Sequence, residues 1–391
     1  MKNDVHLDFN NIVVCSDLHL GEAKSVFHDA PEEFQRFANA IDAIGESSGQ
    51  IDALVLAGDV LDLSLATYHE AFSDFLALMQ AVEGKVKEVV YVPGNHDHHI
   101  WLASNEGNGV FAQGQHVPQG FAAKTRESYL EHALDALVSS GDTPLRVEYP
   151  NSIWCPKNGS SAIVIHHGHF LEDLYHLMSD LYKELLGLDA SSLEDLEAIN
   201  SGWIEFIWYS FGQCGRHGAN GPIEQIYQRV SAGDTAQLKS ILQRFYEYRL
   251  KKMVDTKLRS TLSALPNMLS EWVSKKLHEK IPEWVYSALE SYIEEEMAKG
   301  RDHACNIRNC PLDEGLVKRS GDYLLNYVRP FYPEISARNM DFIFGHTHRP
   351  GIYRSDVGIG FYNCGAFHKG STAFLFHCNS QGEIAEHLYA C

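Results

Sequence analysis

Short apolar runs alternate with segments of helical period through the first part of the chain. Ile12 to Ser16 is a β-branched run, Pro31 to Ile44 repeats its apolar positions every three or four residues, and Ala53 to Leu56 is apolar again. Ala66 to Val82 then has helical period and leads into the apolar run Val89 to Val92. This alternation predicts βαβ units and a layered α/β sheet. Ala162 to Ile165 is a further strand-like run. Near the C-terminus, Phe342 to Phe344, Ile359 to Tyr362 and Ala373 to Phe376 are separated by glycine-rich turns, which predicts a terminal β-meander.

Between about Phe170 and Arg338 the period changes. Leu238, Ile241, Leu242, Phe245, Tyr246, Leu250 and Met253 fall at helical spacing, as do Leu262, Leu265, Leu269 and Trp272, and then Ile281, Trp284, Val285, Ala288, Leu289 and Tyr292. Pro266 and Pro282 stand near expected helix starts, where a missing N–H costs little. The domain reading is therefore an α/β core of residues 1–170 and 338–391 interrupted by an all-α insertion, 171–337. Its stripes are read as helix-on-helix packing. The aromatic stretch Trp203, Phe206, Trp208, Tyr209 and Phe211 lies near its entry, with Tyr209 and Phe211 read as packing residues of the insertion.

Composition narrows the class. With 391 residues, 45% hydrophobic and 21% charged, the chain is an ordinary globular one that needs no disulfides. Its formal net charge of -20 disfavours a protein that grips long nucleic acid, because phosphate backbones call for a basic face. The N-terminal stretch has no continuous apolar segment, so no secretory leader is expected. The eight cysteines lack paired C-x-x-C spacing and read as reduced packing residues of a cytoplasmic chain. Cys305 and Cys310 form the only close pair, and their polar neighbours leave a metal role open there.

The 21 histidines are the informative excess. Nine of them fall in four segments that each follow an apolar run: Asp17-Leu18-His19, Gly94-Asn95-His96-Asp97-His98-His99, His166-His167-Gly168-His169 and Gly345-His346-Thr347-His348. A fifth segment, Gly58-Asp59-Val60-Leu61-Asp62, has the same placement with carboxylates. Loops beyond the carboxyl ends of strands converge on one edge of an α/β sheet, so these side chains are expected to meet. Carboxylate, amide oxygen and imidazole together suit divalent ions such as Mn²⁺, Fe²⁺, Zn²⁺ or Mg²⁺.

In this set and order, D-x-H, G-D-x-x-D, G-N-H-D, H-G-H and G-H-x-H, the sequence resembles the calcineurin-like metallophosphoesterases over residues 10 to 170 and 338 to 391. The resemblance implies a four-layer α-β-β-α sandwich and two divalent ions, manganese being the expected metal. It implies that Asp17, His19 and His348 hold one ion, that Asn95, His167 and His346 hold the other, and that Asp59 bridges them. A hydroxide shared by the two ions would attack phosphorus in line with the leaving oxygen. His96 would stabilise the phosphoryl oxygens or protonate the leaving group, and Asp62 would orient its imidazole. The family places its ligand before the glycine of H-G-H, which selects His167 over His166. His98, His99 and His169 are expected around the ligands or facing substrate, Asp97 caps a turn, and Tyr362 to Phe367 has an architectural role.

The wording of two motifs, Ser16 to Gly21 and Gly345 to Pro350, is most similar to the UDP-diacylglucosamine pyrophosphatase branch, which also inserts helices between H-G-H and G-H-x-H. That branch commonly has Arg where His96 stands, and its insertion is much shorter. The implied partner is a small-molecule or lipid-linked phosphoester, with peripheral membrane contact compatible with it. A nucleotide phosphodiesterase or nuclease is the alternative enzyme, and a non-catalytic metal-binding scaffold the alternative class.

Overall fold

The computed structural model describes residues 5–102, 143–157, 161–171, 192–210, 314–332, 335, 338–355 and 358–391. The helical stripes expected between 238 and 293 and the pair Cys305 and Cys310 lie outside the described residues. Met1–Leu171, Ser201–Gly221 and Asn306–Cys391 belong to one compact unit, and Glu172–Asn200 with Pro222–Cys305 to another. All five histidine and carboxylate motifs belong to the first unit.

The elements in chain order are β1 (Val5–Phe9), β2 (Asn11–Cys15), α1 (Pro31–Ser48), β3 (Ile51–Leu56), α2 (Tyr68–Val82), β4 (Val86–Tyr91), β5 (Leu145–Val147), β6 (Asn151–Pro156) and β7 (Ser161–His166). A helix α3 (Leu193–Ile204) runs on into a π-helical turn, Glu205–Ser210. After α4 (Glu314–Tyr323) come β8 (Asn339–Phe344), β9 (Gly351–Arg354), β10 (Gly360–Asn363), β11 (Thr372–Asn379) and β12 (Ile384–Ala390). Two six-stranded sheets result, one ordered β12-β11-β2-β3-β4-β5 and the other β1-β6-β7-β8-β10-β9.

The strands β2, β3 and β4 pair in parallel, and residues 12–15, 53–56 and 89–91 of them are buried on both faces, which is why these stretches read as apolar runs. Their residues alternate in allegiance. Ile12, Val14, Ala53, Val55 and Val90 face the second sheet, against Trp154, Ile163, Ile165, Ile343 and Tyr362. Val13, Cys15, Leu54, Leu56, Val89 and Tyr91 face helices α1 and α2, through Phe34, Phe37, Ile41, Phe72, Phe75 and Leu78. On the far side of the second sheet, the Tyr323 ring of α4 lies 6.2 Å from that of Phe342 and 5.0 Å from that of His166. Helices, sheet, sheet and helix make the expected four layers.

Local chemistry fixes where the helices start. Pro31 opens α1, with Glu32 and Glu33 in its first turn where the helix dipole favours them. Thr67 and Glu70 form a capping box at α2: the Glu70 amide donates to Thr67 Oγ1, and the Thr67 amide to Glu70 Oε2 at 2.8 Å.

The terminal meander is not what forms. β8 and β10 run parallel in the second sheet, with β9 antiparallel at its edge, whereas β11 leaves that sheet and pairs antiparallel with both β2 and β12 in the first. Apolar runs locate these strands but carry no direction, and the turns between them are long enough to let the chain change sheets. Cys15, Cys155, Cys364 and Cys378 are free, buried thiols packed within these layers. Among the described residues, no helix is long and apolar enough to cross a membrane.

A buried ion pair joins the second sheet to the turn after β5. His6 Nε2 lies 2.7 Å from Glu148 Oε1, Arg146 Nε lies 3.6 Å from the same oxygen, and the His6 ring stacks on Trp154 at 3.8 Å. Burial pushes the Glu148 carboxyl up, but His6, Ser152 and Arg146 outweigh it and hold it below the usual range. Its contribution to stability is therefore complete above the ordinary glutamate value of about 4.3 and is lost as pH falls through the depressed one. Glu148→Gln is expected to cost on the order of 2 kcal/mol at neutral pH. The gap between variant and wild type, read from unfolding midpoints across a pH series, should close below about pH 4. A gap that is constant with pH would rule out the charged pair as its source.

Candidate metal centre

Each of the five motifs sits where a strand of the two sheets ends. Asp17 and His19 follow β2, Asp59 and Asp62 follow β3, and Asn95 and His96 follow β4, while His167 follows β7 and His346 and His348 follow β8. The ladder between β2 and β3 continues into these loops, since Asp17 N donates to Gly58 O and His19 N to Asp59 O, both at 2.9 Å. Asp17 and Asp59 thus end in neighbouring positions on adjacent strands. From the other sheet, Gly345 N donates to His167 O at 2.8 Å and brings the last two loops together.

The backbone there is strained. Asp17, His19, Asp59, His346 and His348 all have positive φ, between 47° and 68°, and they are five of the seven described non-glycine residues that do. Residues other than glycine pay for this conformation and hold it where the surroundings impose it, most often at functional sites. Close approach is imposed as well: a Cβ at Gly345 would collide with Ser16 Oγ and Asp17 Oδ2.

The side chains converge into overlapping groups. Donor atoms of Asp17, His19 and Asp59 lie within 4.8 Å of one another, and so do those of Asp59, His167 and His346. Asn95 Oδ1 stands 3.1 Å from His167 Nε2, and His348 Nε2 stands 3.3 Å from Asp17 Oδ1 and 3.1 Å from His19 Nε2. Imidazole nitrogens and carboxylates turned toward common points, in residues that are buried except at His346 and His348, are the donor chemistry of divalent ions. The nitrogens that face away are held: His167 Nδ1 donates to Ala57 O at 3.0 Å, and His19 Nδ1 lies 2.9 Å from Asp62 Oδ2. Fixing the proton on Nδ1 leaves each Nε2 lone pair for a metal.

Charge follows from this crowding. Burial pushes the Asp17 and Asp59 carboxyls up, but the histidines around them prevail and hold both below the usual range, so both are ionised at neutral pH. His19 is driven down, mainly by burial, and stays neutral, the form that binds metal. Asp59 outweighs burial and raises His167 to about 9, so this imidazole gives up its Nε2 proton when a divalent ion binds.

Asp62 and Asp97 organise the loops. Asp62 Oδ1 accepts from the amides of Ser64 and Leu65, while its Oδ2 stands 2.9 Å from His19 Nδ1 and 3.1 Å from His96 Nδ1. It therefore hydrogen-bonds the His19 imidazole, which the motif did not imply, and stands within ion-pair reach of His96, whose Nδ1 makes no hydrogen bond. Burial opposes a charged His96, but Asp62 and Asp59 prevail and raise it to about 10. Asp97 does more than cap one turn: it accepts from the amides of Val60, Leu61 and Gly94 and from the Tyr91 hydroxyl, tying the β3 loop to the β4 loop. Burial and the nearby Asp59 push its carboxyl up to about 6. Asn363, in the segment read as architectural, donates to Gly345 O and to Thr347 Oγ1, both at 3.0 Å, and so steadies the last motif.

The sequence matches the calcineurin-like phosphoesterase family over residues 11–213, more than half of the chain. The chain belongs to that family. No curated protein sequence matches it. Among solved structures, a dimetal phosphatase from Danio rerio is similar at 10% identity over 95% of this chain and 92% of that one, with a TM-score of 0.36. As a calcineurin-like phosphoesterase the protein is a metal-dependent hydrolase of phosphoesters, and the convergent carboxylates and imidazoles could hold a metal ion.

Of the motif histidines outside the expected ligand set, His166 has its ring 5.2 Å from that of Phe170, while the His169 ring lies 4.5 Å from Phe170 and 5.5 Å from His167, around the ligands as expected. Other residues reach the site with no motif to announce them. His368 stands with its ring 4.9 Å from those of His19 and His348 and its Nε2 3.2 Å from Glu22 Oε2. Glu205 meets His98 and His99, and Trp208 and Tyr209 lie against the same loop. His368 and Glu205 sit alone in sequence with no spacing to mark them, although the aromatic stretch around Trp208 was a signal. Asp97→Asn should strand donors in both loops and cost on the order of 3 kcal/mol of stability. Thermal unfolding checks this, and an unchanged midpoint would show that the two loops are held by other means.

Proposed function

We propose that the protein hydrolyses a small phosphodiester or pyrophosphate with two divalent ions, Asp17, His19 and His348 around one and Asn95, His167 and His346 around the other, with Asp59 between them. The observation that carries this reading is the position of Asp59. It belongs at once to a group with Asp17 and His19 and to a group with His167 and His346. When bound, such a pair of ions supplies Lewis-acid polarisation of the phosphate and an activated water. Manganese suits the mixture of imidazole, amide and carboxylate donors.

The protein's own groups do the rest. Asp62 Oδ2 lies 3.1 Å from the Nδ1 side of His96, which leaves Nε2 as the atom presented to substrate. His96, raised by Asp62 and Asp59, carries the proton that the leaving oxygen needs. The wording of the first and last motifs supports a nucleotide-sugar or lipid-linked pyrophosphate as substrate. The free buried thiols fit a reducing, cytoplasmic setting.

Metal analysis of protein loaded with Mn²⁺ should give two ions per chain, and one tightly held ion or none would sink the dinuclear reading. Asp59→Asn should lower turnover by about 10³-fold or more with the unfolding midpoint kept, because a neutral amide bridges two cations poorly. His96→Ala should lower it by about 10² to 10⁴ with metal content unchanged. Loss of an ion in that variant would make His96 a ligand instead. A substrate panel of phosphomonoesters, nucleotide diesters and acylated nucleotide sugars separates the pyrophosphatase from the nucleotide phosphodiesterase.

A further inference from the structure

His96 is confined on more sides than its motif explains. It is 8% exposed; Asp62 Oδ2 lies 3.1 Å from its Nδ1, and the His19 ring stands edge-on at 4.9 Å. Over its face lies Trp208, with ring centroids 4.4 Å apart and planes inclined by 30°. Trp208 comes from the π-helical turn Glu205–Ser210, far from every motif in sequence.

That turn is fastened to the loop that carries His96. The Glu205 carboxylate takes His98 Nδ1 at 2.7 Å on one oxygen and His99 Nδ1 at 2.9 Å on the other. His99 in turn stacks flat on Tyr209 at 3.6 Å, and the Tyr209 hydroxyl meets that of Tyr68 at the start of α2. Glu205, Trp208 and Tyr209 thus all reach the loop from this one turn. Burial pushes the Glu205 carboxyl up, but the two histidines prevail and hold it below the usual range, as a two-pronged acceptor should be. A π-helical turn is costly and recurs at functional sites.

We propose that Trp208 is a positioning residue for proton transfer: its indole fixes the plane of the His96 imidazole, whose Nδ1 is not itself held by a hydrogen bond, and Glu205 keeps the indole there by clasping His98 and His99. The inference rests on the reading of His96 as the proton donor. It makes the turn part of the hydrolytic machinery and gives the enzyme its reach toward esters whose leaving group is a poor one, an alcohol or sugar hydroxyl.

The test is a double-mutant cycle on the Mn²⁺-loaded protein, with kcat and KM measured for an alkyl or nucleoside diester and for a p-nitrophenyl diester. Trp208→Ala should lower kcat for the alkyl ester by about 10- to 100-fold, with KM and metal content little changed. It should lower kcat for the p-nitrophenyl ester by less than about 3-fold, because that leaving group needs little protonation. Trp208→Phe, which keeps a flat face, should recover most of the loss, whereas Trp208→Leu, which keeps bulk alone, should not. In a His96→Ala background, Trp208→Ala should add nothing. Additive losses in the cycle, equal losses for the two esters, rescue by Leu, or a rise in KM at constant kcat would overturn the proposal while leaving His96 as the donor. Full turnover of His96→Ala alone would overturn both.

Discussion

Two ionised carboxylates, Asp17 and Asp59, are buried side by side because the strands that deliver them are hydrogen-bonded neighbours. Like charges in a low-dielectric interior are costly unless something of opposite sign stands between and around them. Much of the site offsets this repulsion. The amide of His346 points at Asp17 and that of His96 at Asp59, His167 and His348 crowd the same oxygens, and five residues accept a left-handed backbone to bring these groups within reach. Divalent ions, on which hydrolysis in this family depends, would complete the balance.

The two sheets divide the labour. The parallel strands β2, β3 and β4 supply both carboxylate loops and the loop with Asn95 and His96, while β7 and β8 supply the imidazoles of His167, His346 and His348. The interlayer core of Val14, Val55, Ile165 and Ile343 therefore sets the distance between the two halves of the centre. Interiors are close-packed, so a change of volume there is transmitted to the ligands without touching them.

Much of this was legible in the sequence, for physical reasons that also explain the rest. The buried stretches 12–15, 53–56, 89–91, 162–165 and 342–344 show as apolar runs, and helix α2 shows through its period. β1, written Val-His-Leu-Asp-Phe, and β12, written Ile-Ala-Glu-His-Leu-Tyr-Ala, are edge strands with exposed faces and blend into loop composition. The meander failed because strand content does not state which sheet a strand joins. At the site, local spacing placed the motif residues beside the strand ends. It could not find Glu205 or His368, each of which meets the centre only because the fold carries it across more than a hundred residues. It also undercounted Asp62 and Asp97, whose work is done for neighbouring loops.

The pairing of β11 with β2 has a consequence for how the chain is made. β2 lies in the interior of its sheet, yet one of its two neighbours is Ile51–Leu56 and the other is Thr372–Asn379, which lies some 360 residues along the chain. Until that late segment arrives on a growing polypeptide, one of the most hydrophobic strands in the molecule is an open edge, with unpaired amides and carbonyls facing whatever is nearby. The loop with His346 and His348 arrives almost as late. Synthesis thus leaves a long interval in which the nascent chain has its carboxylates without their full complement of imidazoles, and a sticky border without its cover. The edge of β2 is thus the place where an incomplete chain of this topology is most open to association.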